Sequence, residues 1–517
     1  MAQIGPGITF GPGVSIKSPP PPPSPTFFPL SHTATDPTGS TWQDNNPGYT
    51  FTPYVGIATA TPMTNASSMF YNNTTFNDPD VSTWVTSSIT NMSDMFHQAT
   101  TFNQNLNSWN TANVTNMDSM FANTNAFNGD ISSWNTSGVT NMVAMFYGSS
   151  FNGDISSWDV GNITSMFNMF YSSSFNGDIS GWNVSNVTDM AYAFQSAHSF
   201  NQPLNSWNTA NVTDMDGMFN GASSFNQDLN SWNVANVASM SNMFNSASSF
   251  DQPLSSWNTA NVTVMSGMFT NAYAFNQDIS SWNVGRVTNM SYMFSFAGQF
   301  NQPLDTWNTN SVTNMTFMFY ATESFNQDLS SWNTGNVTDM SLMFRQANSF
   351  NGNITSWDTS NVTNMSNMFA VTGSFNQDIS AWNVGRVTDM GYMFYNTTNF
   401  NCGQATGVAH NLMQRTATTG WRVGTVTNMD GMFQNAAAFN GDISAWCETL
   451  IVTVPADFAT GANVNFTTER QPTWGSCPYP NIPPSTPTFF PLSNTATDPT
   501  SGTCQVTQYL KRGTQNP

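Results

Sequence analysis

Residues 111–134 read TANVTNMDSMFANTNAFNGDISSW, and this stretch returns with small changes along most of the chain. Within it Met117, Met120, Phe121, Thr124 and Phe127 stand at i, i+3, i+4, i+7 and i+10. That spacing gathers apolar side chains on one face and predicts a short helix. Asp118 is available as its N-cap, as Ser93 and Ser241 are in their copies. Ahead of it, residues 113–116 predict a short β-branched strand. Residues 131–134 predict a second extended piece after a turn at Asn128, Gly129 and Asp130.

Working outward, Phe followed by Asn, once by Asp, recurs fifteen times between Phe76 and Phe439, with a step of 25 residues from Phe200 to Phe400. Fifteen of the 17 Trp keep the same period from Trp84 to Trp446, and 28 of the 31 Met fill two columns of a Met-x-x-Met-Phe pattern. One such unit cannot bury Trp, Phe, Met and Val against itself, whereas stacked units place each column over its own copy and create a continuous core. The pattern therefore predicts a repeat solenoid over residues 51–446, a stack of about 15 coils of short strands and short helical turns. At the strand spacing of about 4.8 Å the stack would measure roughly 70 Å. Asn113, Asn211, Asn261 and Asn361 share one column and are expected to form an amide ladder against the neighbouring coil.

Composition narrows the function. Charged residues are 7% of the chain, against roughly 25% in an average domain. Aromatics at 14% rule out wholesale disorder. The net charge is -20, and Lys occurs only at Lys17 and Lys511, which argues against phosphate-backbone partners and so against nucleic acid. No apolar run reaches the roughly 18 residues of a membrane span. The first residues carry no basic start, apolar stretch and cleavage site, so neither a span nor a standard secretory signal is expected.

Chemistry is sparse. The four His are His32, His97, His198 and His410, and no metal-ligand, phosphate-loop or nucleophile motif accompanies them. No enzyme activity, cofactor or metal is expected. Cys402 and His410 share one insertion, residues 401–420, which is expected to be extruded as a surface loop rather than to hold a catalytic dyad. Asp130, Asp154, Asp178, Asp228, Asp278, Asp328, Asp378 and Asp442 form a column that reads as turn-forming, with cation bridging as the alternative. The Met columns read as core packing rather than soft-metal ligands. The Asn-x-Ser/Thr sequons at Asn113, Asn186 and Asn361 coincide with the ladder column and read as packing rather than glycosylation.

The flanks differ from the repeat. Residues 1–50 form an N-terminal arm, with a tandem GPGITF and GPGVSI followed by the polyproline stretch SPPPPPSP. Residues 447–484 read as a C-terminal cap. Residues 485–517 form a tail whose STPTFFPLSNTATDPT duplicates SPTFFPLSHTATDPT in the 24–38 segment. Phe27, Phe28, Phe489 and Phe490 are then candidate attachment residues, with a duplicated linker as the plainer reading. The four cysteines allow three pairings, of which Cys402 with Cys447 and Cys477 with Cys504 is the expected one; reduced structural thiols are the alternative.

The stretch FNQDISSWNVGRVTNMSYMF at residues 275–294 resembles the roughly 26-residue repeat of bacterial surface proteins and mycoplasma-type lipoproteins, the BspA-like leucine-rich repeats. The resemblance implies a right-handed, leucine-rich-repeat-like stack, cell-surface display, and adhesion or partner binding. The chain departs from that family at its ends, with neither a lipoprotein Cys near the start nor a wall-sorting signal at the finish. The glycine-rich start resembles structural proteins of marine bacteriophages. The expectation is a non-enzymatic structural and binding protein, a virion appendage or decoration on the particle exterior. Its expected partners are other virion or surface-assembly proteins, a host-surface glycan or protein, and further copies of itself. A cell-surface adhesin exported by a nonstandard route is the alternative.

Overall fold

Every buried amide needs an acceptor, and the way each coil meets that demand sets its shape. The computed structural model describes residues 64–411 and 420–477, all within one compact unit. They form a repeat solenoid in which successive coils lie directly over one another. The repeat Trp, Phe and Met are buried throughout: Trp257 is 3% exposed, and Met265, Phe269 and Phe275 are fully enclosed. The Trp rings run parallel up the stack with centroids 6.1–6.3 Å apart, as in Trp109–Trp134 and Trp207–Trp232. Within a coil the two Phe rings stack closely, Phe96 on Phe102 at 3.9 Å.

The Met-x-x-Met-Phe segment is not a helix. The only helices among the described residues are two short 3₁₀ pieces, Pro79–Thr83 and Thr468–Arg470. Each copy is instead a pair of consecutive β-turns. In one coil the Met95 N–H donates to the Met92 carbonyl at 3.2 Å, and the Ala99 N–H to the Phe96 carbonyl at 2.9 Å. The third residue of each turn is left-handed, Asp94 at φ 54° and Gln98 at φ 59°, as type II turns require. Amides between these local bonds point along the stack. Asp94, Phe96 and Gln98 donate to the carbonyls of Asp118, Met120 and Ala122 in the next coil at 2.8–2.9 Å. Local and inter-coil bonds alternate residue by residue, which leaves few amides unpaired on this side, the turn wall. The Asp118 column caps no helix; Asn116 Oδ1 accepts the Asp118 N–H at 3.0 Å.

The expected strand shrinks to isolated bridges. Asn91, Asn116 and Asn141 are joined by single parallel bridges, and the series runs on from Ser165 to Asn428.

A second side, the ladder wall, is joined by side chains. The N–H of Asn128 donates to Asn103 Oδ1 at 2.8 Å, that of Asn152 to Asn128 Oδ1 at 2.9 Å, and that of Asn226 to Asn201 Oδ1 at 2.9 Å. Asp251 fills the same role for Asn276 at 2.9 Å. This explains why the repeat Phe is followed by Asn and once by Asp, since either carries the needed oxygen. Gln227 Nε2 adds a bond to Asn201 Oδ1, and each repeat Trp indole from Trp109 to Trp421 donates to a carbonyl one coil back, as Trp232 does to Leu204 at 2.9 Å. The expected Asn column also forms: Asn113, Asn211, Asn261 and Asn361 donate to the carbonyls of Ser87, Ser185, Ala235 and Gly335 at 2.6–2.8 Å.

Stacking continues beyond residue 446. Gly431, Phe433 and Asn435 donate at 2.8 Å to Ala456, Phe458 and Thr460, so the segment expected as a cap contributes a further, degenerate coil. The described residues 401–411 of the insertion after Phe400 are fastened to the stack rather than extruded. Asn401 is fully buried and bonds through Nδ2 to the carbonyls of Ala405 and Val408, while Gly407 donates to Ala438 and Asp442 to His410. Trp421 then resumes the column, stacked on Trp446 at 5.8 Å.

Candidate binding face

On the turn wall the backbone is constant and the outward side chains are not. The left-handed column reads Asp94, Ser119, Ala144, Asn168, Tyr192, Gly217, Asn242, Gly267, Tyr292, Phe317, Leu342, Asn367 and Tyr392. Bulky members of this column meet solvent. Tyr292 is 42% exposed and Tyr392 39%, and Phe296, at the second left-handed position of its coil, is 39% exposed. Tyr292 stacks on Phe317 at 4.5 Å, and Tyr320 meets Phe296 edge-on at 4.9 Å, so these four rings make one continuous patch. A second aromatic group lies in earlier coils, where Tyr147 stacks on Tyr171 at 4.6 Å and Tyr192 meets Phe167 edge-on at 5.8 Å. Tyr192 lies across Gly217, where a Cβ would come within 2.5 Å of the ring; Tyr392 covers Gly431 in the same way at 2.4 Å. Beside Tyr192, burial holds the Asp214 carboxyl above its ordinary range, with the Asp216 charge adding to the effect.

The Asp column is a set of local turns. Asp130, Asp154, Asp178, Asp228, Asp278, Asp328, Asp378 and Asp442 each accept the N–H two residues on, at 2.8–3.0 Å. Those bonds hold the carboxyls of Asp154, Asp178 and Asp278 below their usual range. Among the described residues no three His, Cys, Asp or Glu side chains converge as a metal site would need.

The cysteines pair differently from expectation. Cys447 is bonded to Cys477, and Cys402 is free and buried. Cys402 follows the ladder Asn and points inward to Asp378 Oδ1 at 3.4 Å. Cys447 follows the Trp column at a different place in the coil, so adjacency of coils does not bring the two together. Cys504 lies outside the described residues, as do Phe27, Phe28, Phe489 and Phe490, the arm 1–50 and the tail 485–517. Burial, and then the Asp378 charge, push the Cys402 thiol far above its ordinary value, so it forms no nucleophilic thiolate near neutrality. His410 bonds through Nε2 to Asn401 Oδ1 at 3.0 Å, and burial lowers its pKa. Cys402 and His410 thus fasten the insertion through separate partners.

Sequence reasoning missed the turn wall as a surface. Its signal was present in the outward columns of the Met-x-x-Met-Phe motif, where Gly alternates with Asn, Ser and Tyr.

No helix among the described residues is long and apolar enough to cross a membrane. The architecture defines an aromatic-cored repeat solenoid whose coils are joined by turns on one wall and amides on the other. Five overlapping matches, to residues 64–174, 148–257, 249–343, 327–414 and 404–470, place the chain in the family described as Mycoplasma protein of unknown function, DUF285. The chain belongs to that family. No curated protein matches it. Among solved structures, a chain of the crystal structure of the TLR13-ssRNA13 complex aligns over 69% of this chain and 71% of its own at 9% identity. Its TM-score is 0.17, and it carries no argument here.

Proposed function

We propose that the protein is a non-enzymatic binding and structural protein, displayed on the exterior of a virus particle and contacting a host surface through its turn wall. The observation that carries this reading is the aromatic patch of exposed Tyr292 and Phe296 with half-buried Phe317 and Tyr320, held on a backbone that repeats from coil to coil. Aromatic side chains fixed in place lose little freedom on docking and are frequent anchors of protein interfaces. Arm and tail attach the stack to its assembly through Phe27, Phe28, Phe489 and Phe490 in this reading, with further copies of the chain and other surface-assembly proteins as partners. The resemblance of the unit to BspA-like leucine-rich repeats implies a right-handed, leucine-rich-repeat-like plan. The second reading is a cell-surface adhesin exported by a nonstandard route.

Immunogold labelling of particles and cells separates the two. A variant carrying Tyr292→Ser, Phe296→Ser, Phe317→Ser and Tyr320→Ser is expected to lose host-surface binding while its thermal transition stays in place. Unchanged binding in that variant would remove the turn wall from the proposal.

A further inference from the structure

The chain has nine basic residues, and two of them meet in one cleft. Arg386 and Arg422 line a cavity of about 610 Å³ with Asn361, Asn383, Gly385 and Gly424. The columns explain its shape. One position after Val384 and Val423, and three after Trp382 and Trp421, Gly385 and Gly424 line the cleft without side chains. Arg422 directly follows Trp421, at the place where other coils carry Asn or Asp, as Asn383 follows Trp382. Arg386 stands four residues after Trp382, where Asn361 stands after Trp357. Both arginines thus line one cleft together with two glycines.

Arg386 is anchored by an amide rather than by a carboxylate. Arg386 Nη1 donates to Asn361 Oδ1 at 2.7 Å, an amide partner that leaves its charge intact. Asp358, two coils before Arg422 in the same column, accepts the N–H of Ser360 at 2.9 Å. Arg422 has a partner of its own, and a guanidinium with five donors can hold that partner and a second acceptor together.

We propose that this cleft binds the oxyanion group, carboxylate or phosphate, of a small ligand. The planar fork of a guanidinium matches either group in a bidentate fashion. The side chains of Asn361 and Asn383 supply polar groups beside it for a hydroxyl-bearing ligand. A small ligand is favoured over a polymeric one because the net charge of -20 repels a polyanion at longer range than two arginines attract it. Two features of the same stack act as internal controls. A groove of about 450 Å³ beside Trp232 is lined by Asn230, Asn233 and Asn258 and carries no charge. Arg286 makes the same amide bond as Arg386, to Asn261 Oδ1 at 2.8 Å, but Asn308 stands where the second arginine would be.

Calorimetric titration of the full chain at low ionic strength tests the site, with inorganic phosphate and glucuronate as probes and glucose as the neutral control. One-site saturation with a Kd on the order of 1 mM is expected for at least one anion, with none for glucose. The anion that saturates identifies the source of the oxyanion. Arg386→Gln and Arg422→Gln should each weaken binding about tenfold, and Arg286→Gln should not. Both arginines are exposed, and an unshifted thermal transition confirms intact folding. Wild-type binding in the Arg386→Gln, Arg422→Gln double variant, or saturation by neither anion, would overturn the assignment.

Discussion

The two walls of each coil solve one problem by different means. On the turn wall, backbone amides bond directly to carbonyls of the next coil, so Asp, Ser, Ala, Tyr, Phe and Leu all occupy the same left-handed position. On the ladder wall, the Asn that follows each Phe supplies the acceptor itself, and only Asp replaces it. Sequence freedom follows from which atoms make the bond. Where the main chain joins the coils the side chain is released for other uses, and where the side chain joins them it is fixed.

The largest test of that contrast is Trp257→Ala. The indole donates to Leu229 at 3.0 Å and stacks on Trp282, and its removal should cost about 3–5 kcal/mol in a urea transition. A loss below about 1 kcal/mol would mean that the column is not core. Next comes Asn226→Ala, which strips the acceptor from the Asp251 N–H and from Gln252 Nε2, both at 3.0 Å. Its expected cost is about 1–3 kcal/mol. Asn226→Asp should restore most of this, and a failure to do so would show that the ladder needs more than an oxygen.

The turn wall should respond in the opposite sense. Val371 is β-branched yet sits at φ 61°, where an L residue carries a cost of about 1–2 kcal/mol. Val371→Gly removes that strain against a chain-entropy loss of about 0.5–1 kcal/mol, so a small gain in stability is expected. A clear loss would show that the outward side chain itself supports the wall.

The smallest effect is confined to the last coil. Glu448 is buried beside the Cys447–Cys477 disulfide, and neither carboxyl oxygen has a partner among the described residues. Burial raises its carboxyl from an ordinary 4.5 to about 8. Between those values the unfolded chain releases a proton that the folded coil keeps, so local stability falls as pH rises from 4.5 toward 8 and is flat above. Hydrogen exchange at residues 447–477 should show this slope, and Glu448→Gln should remove it without moving the main transition.

Much of this was legible in the sequence because a repeat displays each position many times over. The buried Trp, Phe and Met columns and the Asx turns follow from period and residue type alone. The helix did not follow, because two consecutive β-turns also bring residues i, i+3, i+4 and i+7 to one face. Gly217, Gly267 and Gly431 mark the difference, for a helix gains nothing from glycine at its centre, whereas a left-handed turn position does. The ladder was expected at Asn113 but not at Asn103, since Phe-Asn reads as a turn until the neighbouring coil is laid beside it. The disulfide was misassigned because proximity of coils says nothing about which way each sulfur points. The binding cleft was invisible because its arginines are 36 residues apart and come to one cleft only when their coils stack.

Because consecutive coils are joined by the same bonds throughout, one copy of the unit can replace another. Removing or duplicating 25 residues in register rejoins like to like, and the two ends need no redesign. The reach of such a molecule is then inherited as a copy number. A gene made of near-identical segments can recombine to lengthen or shorten its product in steps that the fold accepts, while the outward side chains of each copy diverge separately.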